Sequence, residues 1–131
     1  MASEAALWKW LRGQMKDDWF AHRIENRVGL GTPDVFYTFQ GVMGWIELKE
    51  ITSITKKNCP FTAEQVDFAE QIARNRGIAF ALVRVKRKLY AMSHRAMFHW
   101  HVGGDPMKMG GQNVQECGAN DLRMILRGRW I

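Results

Sequence analysis

Three side chains have the types and spacing of a hydrolytic centre: Asp34, then Glu47 thirteen positions on, then Lys49. Alternation along a strand puts Glu47 and Lys49 on one face, with Ile46 and Leu48 on the other. If Gln40-Gly41 is a two-residue hairpin loop, Phe39 pairs with Val42, and counting outward sets Asp34 directly opposite Glu47. Opposed side chains have Cβ atoms roughly 4.5–5.5 Å apart, so two carboxylates there repel unless a cation or a proton lies between them. A divalent metal meets that need, and hard oxygen donors suit Mg²⁺, with Mn²⁺ as substitute; Mg²⁺ commonly keeps several waters and binds a substrate phosphate as well. Lys49, about 6.6 Å further along the same face, is placed to act on a water or to offset charge building on an attacked phosphate. Metal plus lysine points to phosphodiester hydrolysis. The register is the sensitive step: a bulge at Gly44 or a one-residue slip would send Glu47 to the other side.

The elements that must position these groups follow from local patterning. Leu7, Trp8, Leu11 and Met15 recur at helical spacing over 3–15, with Ser3 as cap. Residues 21–26 alternate as a short strand, and Gly29-Leu30-Gly31-Thr32-Pro33 turns the chain just before Asp34. Two strands follow, over 34–39 and 42–49. Thr62 and Gln65 fit a capping box, and Phe61 with Val66 the accompanying staple, so a helix starts there and stops near Gly77. The apolar run Ile78 to Val83 reads as a strand buried on both faces, and 88–93 as its partner across a basic turn. Five glycines between 103 and 118 with Asp105-Pro106 suggest a long surface loop, and a last short helix is expected from Asn120, burying Leu122, Ile125 and Leu126. The order helix, three strands, helix, two strands predicts an α/β domain with a mixed central sheet flanked by helices.

The 131-residue length suits one domain, and 47% hydrophobic with 24% charged residues excludes a disordered chain. No apolar run is long enough to span a bilayer, and the N-terminus lacks the pattern of a secretion signal, so a cytoplasmic protein is expected. Cys59 and Cys117 make no disulfide framework, and His94, His99 and His101 with Cys117 match no common zinc spacing. Nineteen Lys and Arg against thirteen Asp and Glu give +6, which makes a polyanion the first partner to consider.

The run Arg23-Ile24-Glu25-Asn26-Arg27-Val28-Gly29-Leu30-Gly31-Thr32-Pro33-Asp34-Val35, followed by Gly44-Trp45-Ile46-Glu47-Leu48-Lys49, resembles the PD-(D/E)XK nuclease superfamily, and its VRR-NUC branch of small stand-alone phage and bacterial proteins in particular. The resemblance spans roughly residues 4–85. It implies a restriction-endonuclease-like core in the order αβββαβ, and metal binding by Asp34, Glu47 and the backbone carbonyl of Leu48. It also implies that Lys49 assists the attacking water and that Gln65 belongs to the site. It places an accessory carboxylate on the first helix, where Glu4 stands thirty residues before Asp34. Two readings stay open for Glu4, that role or an acid favoured in the first helical turn. Glu25 is a second candidate for the role, or pairs with Arg23 or Arg27. Gln65 is also accounted for by its capping box, and Trp45 either stacks on a base or packs.

Arg84, Lys86, Arg87 and Lys88, with Arg23 and Arg27, are the candidates for holding a DNA backbone, although a charged turn is as often merely solvated. The expectation is a Mg²⁺-dependent DNA endonuclease. A compact domain has little surface for reading sequence, so selection of DNA shape by a homodimer is expected, with branched or four-way junctions favoured by the resemblance. The alternatives are a DNA-binding or assembly module without turnover, and a nuclease that cuts linear nucleic acid indiscriminately.

Overall fold

The computed structural model describes residues 4–24 and 31–130. The chain runs α1 (Glu4–Met15), β1 (Phe20–Arg23), β2 (Val35–Phe39), β3 (Val42–Ile51), α2 (Ala63–Arg74), β4 (Ile78–Val85), β5 (Lys88–Ser93), α3 (His94–His101), β6 (Val114–Glu116) and α4 (Ala119–Leu126). The six strands form one sheet in sequential order, antiparallel except where β3 meets β4. That parallel pair requires a crossover, and α2 supplies it.

Side-chain alternation divides the core in two. Ile46, Leu48, Phe80 and Leu82 pack beneath Leu7 and Leu11 of α1 and Leu122 and Ile125 of α4. On the opposite face Ala81, Val83 and Met92 pack beneath Val66 and Ala69 of α2 and Met97 and Trp100 of α3. Glu47 and Lys49 pair with Ala81 and Val83 of β4, so they lie on the α2–α3 face.

The hairpin forms as read. Gln40 and Gly41 take φ of 49° and 85°, and Phe39 pairs with Val42 through to Val35 with Ile46. Gly44 marks no bulge: it pairs with Tyr37, and a Cβ there would lie 2.5 Å from the Tyr37 hydroxyl. That ring must lie flat against the strand because its hydroxyl donates to the Leu126 carbonyl at 2.7 Å, tying β2 to α4.

The region beyond His94 departs from expectation. The glycine-rich stretch is not one long loop. Ser93 accepts from the Ala96 N–H and caps α3, whose Trp100 is fully buried, and β6 adds an edge strand beside β5. The last helix starts two residues earlier than read, with Gly118 rather than Asn120 at its cap, where the Asp121 carboxylate accepts from the Gly118 N–H. Arg84 belongs to β4 and not to the basic turn. Ser3, Glu25 and Arg27 lie outside the described residues. No helix among the described residues is long and apolar enough to cross a membrane.

Candidate active site

Asp34 stands one residue before β2, and the β2–β3 register continued by one step sets it opposite Glu47 on the α2–α3 face. Two bonds fix it. Its carbonyl accepts from the Ile24 N–H at 2.7 Å, and its Oδ2 accepts from the Leu48 N–H at 2.8 Å, so the carboxylate stands in for a ladder partner just where the strand pair ends. A strand residue points its N–H and C=O to the same side, which directs the Leu48 carbonyl toward Asp34 as well. The preceding turn is pressed against α2: Gly31 has φ +84°, and a Cβ on it would meet the Glu64 carbonyl at 2.2 Å. Only glycine permits that approach.

Asp34 and Glu47 are 1% and 3% exposed, the two most buried acids among the described residues. Glu47 Oε2 accepts from Gln65 Nε2 at 3.2 Å and lies 3.8 Å from the Lys49 ammonium, whose side chain is 14% exposed. Glu47 Oε1 is buried and makes no hydrogen bond among the described residues. The two readings of Gln65 prove compatible, because a primary amide has two ends. The side-chain oxygen accepts from the Thr62 N–H at 3.0 Å while the Gln65 backbone N–H donates to the Thr62 hydroxyl at 3.1 Å, completing the capping box. With the oxygen so engaged, the NH₂ is aimed at Glu47. The cap that starts α2 therefore also orients a donor into the site.

Asp34, Glu47, Lys49, Gln65 and the Leu48 peptide are thus brought together. Glu4 begins α1, and among the described residues, which leave out Glu25, no three His, Cys, Asp or Glu side chains are grouped to hold one ion, so Glu4 is not grouped with the pair. Arg84 lies on the opposite face, its Nε donating to Glu50 Oε2 at 2.8 Å across the ladder. Arg23 pairs with Val35, which also puts it on the α1–α4 face. Lys86 and Arg87 form the exposed turn, and Lys88 lies 3.9 Å from Glu116. Trp45 is a packing residue, edge-on to Phe36 and Phe68 at 5.2 and 5.7 Å, and it props the sheet beside the acids.

The sequence reading passed over Lys56 and Lys57. They form the exposed tip of the loop from β3 to α2. Asn58 holds that loop by accepting from the Thr55 N–H and donating to the Ser53 carbonyl, and Trp100 Nε1 donates to the Thr55 carbonyl at 2.7 Å. The Thr55-Lys-Lys-Asn58 pattern was the available signal: an Asn that closes a tight turn and holds two cations outward.

Among solved structures the chain is similar to Hjc, a Holliday junction resolvase from the archaeal hyperthermophile Archaeoglobus fulgidus. The two share 17% sequence identity at a TM-score of 0.53, over 69% of this chain and 75% of the resolvase. This chain has a restriction-endonuclease-like fold. No protein-family model matches the sequence, and no curated protein does. The structural likeness shows the fold alone and does not single out the VRR-NUC branch that the sequence resembles.

Proposed function

We propose that the protein is a metal-dependent DNA endonuclease that selects branched DNA. The observation that carries the reading is two buried carboxylates, Asp34 and Glu47, held on adjacent strands beside a lysine. Burying like charges side by side is costly, and active sites are where such arrangements concentrate.

The donors suit Mg²⁺ or Mn²⁺: two carboxylates and the Leu48 carbonyl are all hard oxygens, leaving remaining positions to water and a phosphate oxygen. When bound, such an ion polarises the phosphate and lowers the pKa of a coordinated water. The protein's own contribution is positioning. The Leu48 N–H fixes the Asp34 carboxylate, and the Gln65 amide and Lys49 ammonium restrain Glu47. Lys49 is the group able to hold the attacking water or neutralise the phosphorane-like transition state.

DNA as substrate is supported by the +6 charge and by likeness to a protein that resolves Holliday junctions. One small domain cuts paired strands most simply as a symmetric dimer. The test is incubation with labelled four-way junction, flap and linear duplex, with Mg²⁺ or with chelator. Junction cleavage that needs Mg²⁺ and exceeds duplex cleavage supports the reading. Binding without cleavage, unchanged in Asp34→Ala, favours a non-catalytic module, and equal cutting of all substrates favours a general nuclease.

A further inference from the structure

On the face of the sheet away from the acids, a cleft of about 480 Å³ opens between the middle of α1, the β4–β5 turn and the β6–α4 connection. Its walls include Trp10, Arg84, Lys86, Arg87, Lys88 and Glu116. Trp10 is half-buried against the core, which fixes its indole as a rigid wall. Arg84 is answered by Glu50 at 2.8 Å, and the exposed Lys88 and Glu116 are 3.9 Å apart, a solvated pair of little strength. Lys86 and Arg87 at the turn tip are exposed cations. Lys86 has φ +57°, at the first position of a two-residue hairpin loop where glycine is the usual choice. Turn geometry therefore does not explain a lysine there.

We infer that this cleft binds a single-stranded DNA segment, Lys86 and Arg87 engaging its phosphates and Trp10 stacking on a base. The size is that of a small-molecule or nucleotide pocket. Cations beside an aromatic face are the combination that holds single strands, whereas a duplex keeps its base faces stacked and gains nothing from the indole. Placement suits a strand that leaves the acids: Ile51, where the Lys56-Lys57 loop begins, pairs with Val85, which precedes the Lys86-Arg87 turn. Cations thus line the same end of the parallel strand pair on both sides.

The test is fluorescence anisotropy of a labelled eight-nucleotide oligo(dT), in chelator so that no cleavage occurs and the outcome is independent of the nuclease reading. Lys86→Gly/Arg87→Gln removes two charges and relieves the positive φ, so weaker binding cannot be blamed on misfolding. Binding at least about tenfold weaker is expected, with the slope of log K against log salt shallower by about 1.4, or about 0.7 per lost contact. Trp10→Leu should weaken binding at least about fivefold and leave the slope unchanged. Inorganic polyphosphate of eight units should compete at least tenfold less well than unlabelled oligo(dT). The inference is overturned if either cleft variant binds like wild type, or if polyphosphate competes as well as the oligonucleotide.

Discussion

Glu47 and Glu50 lie three residues apart on β3, and the sheet treats them in opposite ways. Glu50 faces Arg84 directly across the β3–β4 ladder, with side chains 10% and 18% exposed and a 2.8 Å charge-assisted hydrogen bond. Glu47, 3% exposed, faces Ala81 on that side and Asp34 on the other; its cationic neighbour is Lys49 of its own strand at 3.8 Å. The first arrangement is a completed structural pair. The second sets two carboxylates at facing positions beside a lysine, the arrangement that the proposed metal site requires. Burial alone does not separate the two, whereas the identity and distance of the cross-strand partner does.

That contrast can be broken most severely at Asp34. Asp34→Asn keeps an oxygen for the Leu48 N–H and removes one of two opposed charges. Cleavage should fall by about 10³-fold or more while the metal-free melting temperature holds or rises. A clear drop in melting temperature would make Asp34 a structural residue like Glu50. Lys49→Met should cost about 10²-fold in single-turnover cleavage with DNA affinity little changed. Arg84→Met sharpens the other side. It strands a partly buried carboxylate and should cost about 2 kcal/mol in urea unfolding, largely restored by Glu50→Gln in the same chain, with cleavage per folded molecule unaffected.

Gln65 joins the two kinds of role, so its variants should separate them. Gln65→Ala loses the capping box and should cost about 1 kcal/mol of stability. Gln65→Glu keeps the box but turns a carboxylate toward Glu47, so any stability loss should come from like-charge repulsion and be relieved as pH falls, while cleavage at neutral pH drops about tenfold. Thermal melts and cleavage rates on both variants decide this.

The smallest effect concerns the α2–α3 contact. The hydrogen bond from His94, and then the charges of His94 and Arg74, hold the Glu70 carboxyl below its ordinary pKa of 4.5. A depressed folded pKa contributes stability that is present above 4.5 and lost as pH falls through the folded value. Acid melts of wild type and Glu70→Gln should therefore converge toward low pH.

The placement of the candidate residues was largely legible in the sequence because it follows from local rules. Gln40-Gly41 sets the register, alternation sets the face, and Thr62–Gln65 sets where α2 begins. The unread parts depended on tertiary partners. Residues 94–101 are helical because Ser93 caps them and Trp100 finds a buried slot, neither of which the neighbouring glycines reveal. Arg84 looked like one of a basic cluster until β4 extended to Val85 and turned it toward Glu50. Glu4 could be placed at a helix start, but whether a helix end reaches a strand is decided by packing across the sheet.

The most direct measurement is single-turnover cleavage of a labelled four-way junction by wild type, Asp34→Asn and Glu47→Gln over a Mg²⁺ titration, with junction affinity measured in parallel in chelator. Rates should rise with Mg²⁺ for wild type and stay near background for both variants, while all three bind the junction alike. Cleavage that persists in chelator, or in either variant at the wild-type rate, would contradict the account.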